Sequence, residues 1–306
     1  MPARTRRKSI RRRSPKKTKK INKTKTLLVL AVSVLFASLW FLYNSSWDHK
    51  SKISIAYFDK DSAKVLVFDP TTDSISRLHL HPDTQLDAAY SLGVIKIKNL
   101  EEVSVNEELG SVLLSKTLTK NFQIPIPFHS GTGMNSFFEG SLIRSLTTAL
   151  TTLDSNTDII TRIKLSVFAA KVINSKRIDI DLSNYVFLEE SELVDGSSGY
   201  VIRREISTSI ASLVSDHGIS SKSYTSKIVD GTQNKELIGS AVNTIRNSGL
   251  VVTNIENFET AQTCLVRSEN TDLMRYFEKV FGCESEIRKT ITDIEFVFGS
   301  NFSDIF

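Results

Sequence analysis

The chain has 306 residues, is 40% hydrophobic and 24% charged, carries a formal net charge of +5 and holds two cysteines. Those figures exclude a disordered chain, a collagen-like fibre and a small disulfide scaffold, and they leave room for one to three domains. The charge is unevenly spread: residues 1–25 carry thirteen Lys and Arg and no acid, while the other 281 carry 26 basic against 34 acidic side chains. The chain is an acidic protein with a basic tail.

Residues 26–43 read TLLVLAVSVLFASLWFLY, without a charge. Eighteen helical residues rise about 27 Å, close to the hydrocarbon thickness of a bilayer, and the stretch predicts one transmembrane helix. Trp40, Tyr43 and Trp47 gather at one end, as interfacial aromatics do. No small-x-small cleavage site follows, which favours an uncleaved anchor over a signal peptide. The cations all precede the span, so the N-terminus is expected in the cytoplasm and residues 44–306 outside the cell membrane, in a single-pass topology. Beside a membrane the tail is a contact for anionic lipid. Nucleic acid is not expected as a partner, because nothing aromatic interleaves with the cations.

Beyond the anchor, Ile53–Phe58, Lys64–Pro70 and Ser74–Asp83 run apolar or alternate, with turn residues between them, and predict three strands of a meander. Residues 101–120 then show helical spacing, as do 142–153 and 159–173. Strands followed by amphipathic helices predict a mixed α/β (α+β) layer fold. His79, His81 and Asp83 alternate in the manner of one strand face. That pattern suits a metal but equally suits a solvated face, which is the expectation. Ser130-Gly-Thr-Gly133 lacks a P-loop lysine and reads as a turn, and 196–199 reads as a loop. Arg144 and Arg162 are expected on solvated helix faces.

Residues 226–302 give the clearest pattern. A strand over 227–230 leads to a helix at Lys235–Ser248, with Asn234 as N-cap and Gly249 as stop. Strands over 250–255 and 263–268, a helix at Thr271–Phe281 and a strand over 293–299 complete a β-α-β-β-α-β unit. Cys264 and Cys283 lie on the side where disulfides form. Neither distance nor orientation is legible, and two buried thiols acting as small hydrophobes are the expectation.

The segment VLVFDPTTDSISRLHLHPDTQLD, residues 65–87, resembles the LytR-CpsA-Psr family of cell-envelope proteins. Asp69 and Pro70 fall on that family's Asp-Pro, Asp83 and Thr84 on its Asp-Thr, and Asp61 on a further acid. The resemblance implies a pocket for a polyprenyl pyrophosphate and transfer of an envelope polymer onto the cell wall, with Asp61 and Asp83 as the candidate catalytic and Mg²⁺-binding residues. Pro82 stands where the family carries a phosphate-pairing Arg, and its later Arg-rich segment has no counterpart. Without cations opposite the acids, a pyrophosphate is expected to meet negative charge only. Residues 226–306 resemble a LytR-type C-terminal domain, through Val229-Asp-Gly-Thr232, Arg246-Asn-Ser-Gly249 and Phe298-Gly-Ser-Asn-Phe302.

The sequence therefore predicts a basic cytoplasmic tail (1–25), a transmembrane helix (26–43), a degenerate LytR-CpsA-Psr-like domain (51–215) and a LytR-type C-terminal domain (226–306). The function expected is non-catalytic binding or scaffolding in cell-wall or surface-polymer assembly. Its partners would be membrane lipid and a wall polymer, polyprenyl-linked lipid or another envelope protein. No cofactor is expected. The alternative is a phosphotransferase, which would require Mg²⁺.

Overall fold

The computed structural model describes residues 32–33, 47–203, 206–257 and 263–306. The expected tail and membrane span lie outside the described residues, apart from Val32 and Ser33. Among the described residues no helix is long and apolar enough to cross a membrane. Ser45–Phe306 forms one compact unit.

Its centre is the expected meander. Strands β1 (Ile53–Asp59), β2 (Ser62–Asp69) and β3 (Ser74–Leu80) pair antiparallel. β6 (Phe128–Ser130) and β7 (Arg177–Asp181) add to the two sides in parallel, giving the order β6-β1-β2-β3-β7. The strands read as near-continuous apolar runs because both faces are covered. Ala56, Phe58, Val65, Val67 and Leu78 enter one core, and Ile53, Ile55, Tyr57, Leu66, Phe68 and Ile75 enter another.

The first core is closed by helices α1 (Ile97–Asn106) and α2 (Val112–Phe122) and by a smaller sheet. That sheet orders β5 (Gly93–Lys96), β4 (Thr84–Ala88), β9 (Ser198–Ile202) and β8 (Leu188–Glu192). The single helix expected over 101–120 is thus two. The break is a loop in which Glu108 and Gly110 take positive φ, and a Cβ on Gly110 would stand 3.0 Å from Asp154 Oδ1. The loop presents the Ser111 amide to Asp154 Oδ2 at 2.8 Å. The second core lies beneath α3 (Asn135–Glu139), α4 (Leu142–Thr151) and α5 (Ile159–Lys171). Arg144 is exposed as expected. Arg162 is not on a solvated face: it is half-buried and its guanidinium donates to the Thr152 carbonyl. Two short helices, α6 (Thr208–Val214) and α7 (His217–Ser220), lead onward.

The C-terminal part holds the six expected elements and one more. β10 (Thr225–Asp230), α8 (Lys235–Asn247), β11 (Val251–Asn257), β12 (Leu265–Ser268), α9 (Thr271–Phe281), β13 (Glu284–Ile287) and β14 (Ile294–Phe298) build a sheet ordered β11-β10-β14-β12-β13. The added strand, β13, is a fully exposed edge reading ESEI, so it carries no apolar alternation to betray it. Asn234 and Asn270 cap α8 and α9 by accepting from backbone amides of the first turn. Phe277, Phe281, Phe296, Phe298, Phe302 and Phe306 pack ring against ring in the core below. On the sheet surface a ladder of charges crosses all five strands: Glu256, Lys227, Glu295, Arg267 and Glu286.

The cysteines correct the sequence reading. Cys264 precedes β12 and Cys283 precedes β13, and because these strands pair in parallel the two Cα atoms stand 4.9 Å apart and the thiols form a disulfide. The C-terminal part packs on the rest through α2. Lys116 Nζ donates to the Lys279 and Val280 carbonyls at 2.7 and 2.8 Å, and Asn247 donates to the Gln123 carbonyl at 2.7 Å.

Candidate functional site at one end of the central sheet

Strand register decides which of the candidate residues meet. Asp59 pairs with Ser62, and Ala63 pairs with Leu80, so the β1–β2 turn and the exit of β3 lie at the same end of the sheet. Asp61 sits exposed in that turn and Asp83 follows β3, so the two acids share an end of the sheet. Asp69 does not join them. It stands at the opposite end, where its carboxylate accepts from the Thr71 amide at 2.9 Å and pairs with Lys52 at 3.2 Å. There it lines a cleft of about 430 Å³ together with Lys176 and Ser76.

Asp83 is held by its surroundings. Its carboxylate pairs with Lys98 Nζ at 2.7 Å, and Lys98 stands in the first turn of α1. The hydrogen bond from Lys98 holds the Asp83 carboxyl below the usual carboxylate range, and the same bond raises Lys98. The charge of Asp61 also acts on Lys98, so both acids answer to one ammonium. The Asp83 carbonyl accepts from the Tyr200 amide of β9 at 3.1 Å. β9 passes so close that a Cβ on Gly199 would collide with that carbonyl and with Leu193. The 196–199 segment is thus a loop only in its first half, and its second half is strand. Next to it, Lys96 Nζ reaches Asp195 Oδ2 and Ser197 Oγ, both at 2.5 Å.

The same end carries a denser constellation on the face under α3. Arg77 grips Asp179 of β7 with Nε and Nη2 at 3.1 and 2.5 Å, a fork that only guanidinium makes. Its guanidinium stacks 4.0 Å from the Phe138 ring. Tyr57 Oη donates to Asn135 Oδ1 at 2.7 Å, Arg77 Nη1 reaches the same oxygen at 3.4 Å, and Lys64 pairs with Asp59. His79 Nε2 meets Asp179 at 2.5 Å. Burial alone would raise Asp179, but the hydrogen bond from Arg77 outweighs it and holds the carboxyl low. Burial lowers His79 despite that carboxylate, so the imidazole is neutral near pH 7.

Two expectations change on this geometry. The acids do not face negative charge only, since Lys98 pairs with Asp83 and the charge of Lys96 also acts on it. Nor do His79, His81 and Asp83 share a strand face. β3 ends at Leu80, and His81 turns toward Tyr200, with ring centroids 4.8 Å apart, while its Nδ1 accepts from the Asp83 amide at 3.2 Å. Among the described residues no group of three or more His, Cys, Asp or Glu is placed to hold a metal. Lys98 lies fifteen residues beyond Asp83 on a helix, where no sequence signal tied it to the acid. Arg77 had a signal that went unused, a fixed cation between apolar residues of a buried strand.

No family model matches the chain, and no curated protein matches it. Solved structures do. TagV of Bacillus subtilis aligns over 67% of this chain and 100% of its own at 10% identity, with a TM-score of 0.38. TagT of the same organism aligns over 51% and 86% at 13% identity, with a TM-score of 0.35. A LytR-CPS2A-Psr protein, YwtF (TagT), solved with bound octaprenyl pyrophosphate, aligns over 68% and 95% at 11% identity, with a TM-score of 0.33. The structural neighbours are LytR-CPS2A-Psr proteins. The likeness is distant, and the chemistry of the site rests on the site's own residues.

Proposed function

We propose that this chain is a single-pass, membrane-anchored protein of a bacterial cell envelope. Its external body binds a polyprenyl-pyrophosphate-linked precursor of a wall or surface polymer and does not transfer it. Residues 51–215 form the LytR-CpsA-Psr-like part and 226–306 the LytR-type C-terminal part. The basic tail is the cytoplasmic topology signal and a contact for anionic lipid. The observation that carries the non-catalytic reading is the Asp83–Lys98 ion pair beside Pro82. Asp83 Oδ1 is given to an ammonium, so the acid suits holding that cation in place rather than coordinating a metal. Mg²⁺ takes one or two carboxylates plus substrate phosphates. Here one carboxylate is committed to Lys98 and the other, Asp61, sits exposed in a turn, so the residues do not fit the ion and no step is routed through it.

Lys98, with Lys96 also acting on Asp83, supplies positive charge of the kind a pyrophosphate needs. Detergent-purified full chain, extracted and analysed by mass spectrometry, carries a polyprenyl phosphate or pyrophosphate on this reading, and Lys98→Ala reduces it. Equal loading of the Lys98→Ala chain would remove the assignment. The runner-up, a phosphotransferase acting through Asp61 and Asp83, is favoured by the one fact that both acids do reach the same end of the sheet.

A further inference from the structure

The end of the central sheet away from Asp83 carries a cleft of about 430 Å³, within the usual size of a small-ligand site. Its walls come from the lead-in to β1, the β2–β3 turn, the short helical turn Asn174–Lys176 before β7, and the last turn of α6. One ion pair braces them. Lys52 Nζ meets Asp69 Oδ2 at 3.2 Å and donates to the Ser212 and Leu213 carbonyls at 3.1 and 3.4 Å, so its three N–H groups are all taken. Asp69 Oδ1 accepts from the Thr71 and Thr72 amides at 2.9 and 3.4 Å. The brace fixes the walls without a ligand, and its two charges cancel.

The rest of the lining keeps bonding capacity. Val67, Ser76 and Ile178 lie side by side on β2, β3 and β7, in register. Ser76 is only 4% exposed, yet its hydroxyl takes no partner among the described residues, where a buried hydroxyl ordinarily has one. Thr72 and Ser74 pair their hydroxyls at 2.7 Å, and Ser175 adds a further hydroxyl. Each hydroxyl can donate one hydrogen bond and accept two. Lys176 Nζ donates to the Thr72 carbonyl at 2.7 Å and keeps two further N–H groups. Among the described residues it is the one uncancelled charge of the lining. Groups that both give and take hydrogen bonds suit a ligand whose own groups do the same, whereas a bare phosphate or carboxylate only accepts. A sugar with one anionic group matches on three counts: hydroxyls for Ser76 and its neighbours, C–H surface for Val67, Ile178 and Leu213, and a single negative charge for Lys176.

We infer that this cleft is a second binding site, for a sugar that carries a single phosphate or carboxylate. The ring packs on Val67, Ile178 and Leu213, the Ser76 hydroxyl bonds one ring hydroxyl, and Lys176 pairs with the anion. The site lies at the opposite end of the sheet from Asp83 and Lys98, and it does not rest on polyprenyl binding there.

Detergent-purified full chain is titrated with glucose 6-phosphate, glucuronate and glucose, followed by saturation-transfer NMR, with inorganic phosphate as a competitor. The inference predicts saturable binding of at least one anionic sugar, about tenfold tighter than glucose, and the tighter of the two names the anion. No saturable binding of either below about 10 mM overturns it. Inorganic phosphate that displaces the sugar at equal concentration reduces the cleft to an anion site and also overturns it. Lys176→Met, at an exposed position, should weaken the anionic sugars about tenfold and erase their advantage over glucose. Ser76→Ala should weaken them about fivefold, while the melting temperature stays at or above that of wild type, because the hydroxyl has no partner to lose. A lower melting temperature with unchanged affinity would make Ser76 structural and contradict the inference. Lys98→Ala should leave these affinities unchanged. Sugar binding that Lys98→Ala removes and Lys176→Met spares belongs to the other end of the sheet, and overturns the assignment.

Discussion

Replacing Lys116 by Met should remove most of the pH dependence of stability above neutrality. Lys116 is fully buried on α2 and its ammonium caps the C-terminus of α9 through the Lys279 and Val280 carbonyls, at 2.7 and 2.8 Å. The negative end of a helix favours such a cation. Burial nevertheless dominates and pulls the lysine from its usual 10.5 to about 7. The sign follows from proton counting. Below about pH 7 both folded and unfolded chains carry the proton, whereas between about 7 and 10.5 the unfolded chain binds more, so stability rises with pH across that window. The slope is at most about 1.4 kcal/mol per pH unit, for a ceiling of about 5 kcal/mol over the interval, which relaxation around the site reduces. Urea unfolding of the detergent-solubilised full chain at about pH 7.5 and about pH 9.5 measures it, with the disulfide intact. Met keeps the length and apolar volume of the stem and cannot titrate. A wild-type stability that is flat or falls between those pH values would refute the reasoning, as would a Met variant with the wild-type slope.

His129 should give a second, acid-side dependence. Burial depresses it from 6.5 to about 4, so stability is complete above about pH 6.5 and is lost as pH falls toward 4, by up to about 3 kcal/mol. His129→Gln should flatten this limb in the same urea series. Reduction of Cys264–Cys283 closes no new contact but frees a loop of 19 residues, and should cost about 3 kcal/mol, read as a lower melting temperature together with a two-thiol mass shift on alkylation. Gly199→Ala forces a methyl against the Asp83 carbonyl, and should destabilise by about 1–3 kcal/mol and weaken polyprenyl binding by displacing Asp83. Asp83→Asn, which removes the charge and spares the backbone, should leave the unfolding free energy within about 1 kcal/mol of wild type in the same urea series, because its partner Lys98 is solvated.

The meander and the C-terminal elements were legible because their signals are local: apolar runs for strands buried on both faces, and Asn caps and Gly stops for helices α8 and α9. Strands β7 and β13 were not legible. RIDID and ESEI are polar, exposed segments that become strands only because a neighbour offers them an edge. Helix α4 was legible as a helix, but its periodicity does not say which side is buried: Ser145 and Ala149 are, and Ile143 is exposed. At the site, motif spacing picked out Asp61 and Asp83, and register placed them at one sheet end. The cation that balances Asp83, Lys98, comes from the start of α1, and that pairing is set by tertiary structure alone. The disulfide was hidden for the same reason, because parallel pairing of β12 with β13 brings the cysteines together.

The central claim is binding without transfer, and turnover measures it most directly. Detergent-solubilised full chain is incubated with a polyprenyl-pyrophosphate-linked glycan, an acceptor wall fragment and Mg²⁺, and free polyprenyl phosphate is followed beside bound ligand. The account predicts saturable binding, weakened roughly tenfold or more by Lys98→Ala through loss of a charge-assisted bond, with no release above the protein-free rate. Mg²⁺-dependent release that Asp83→Ala abolishes would contradict it and make the chain a transferase.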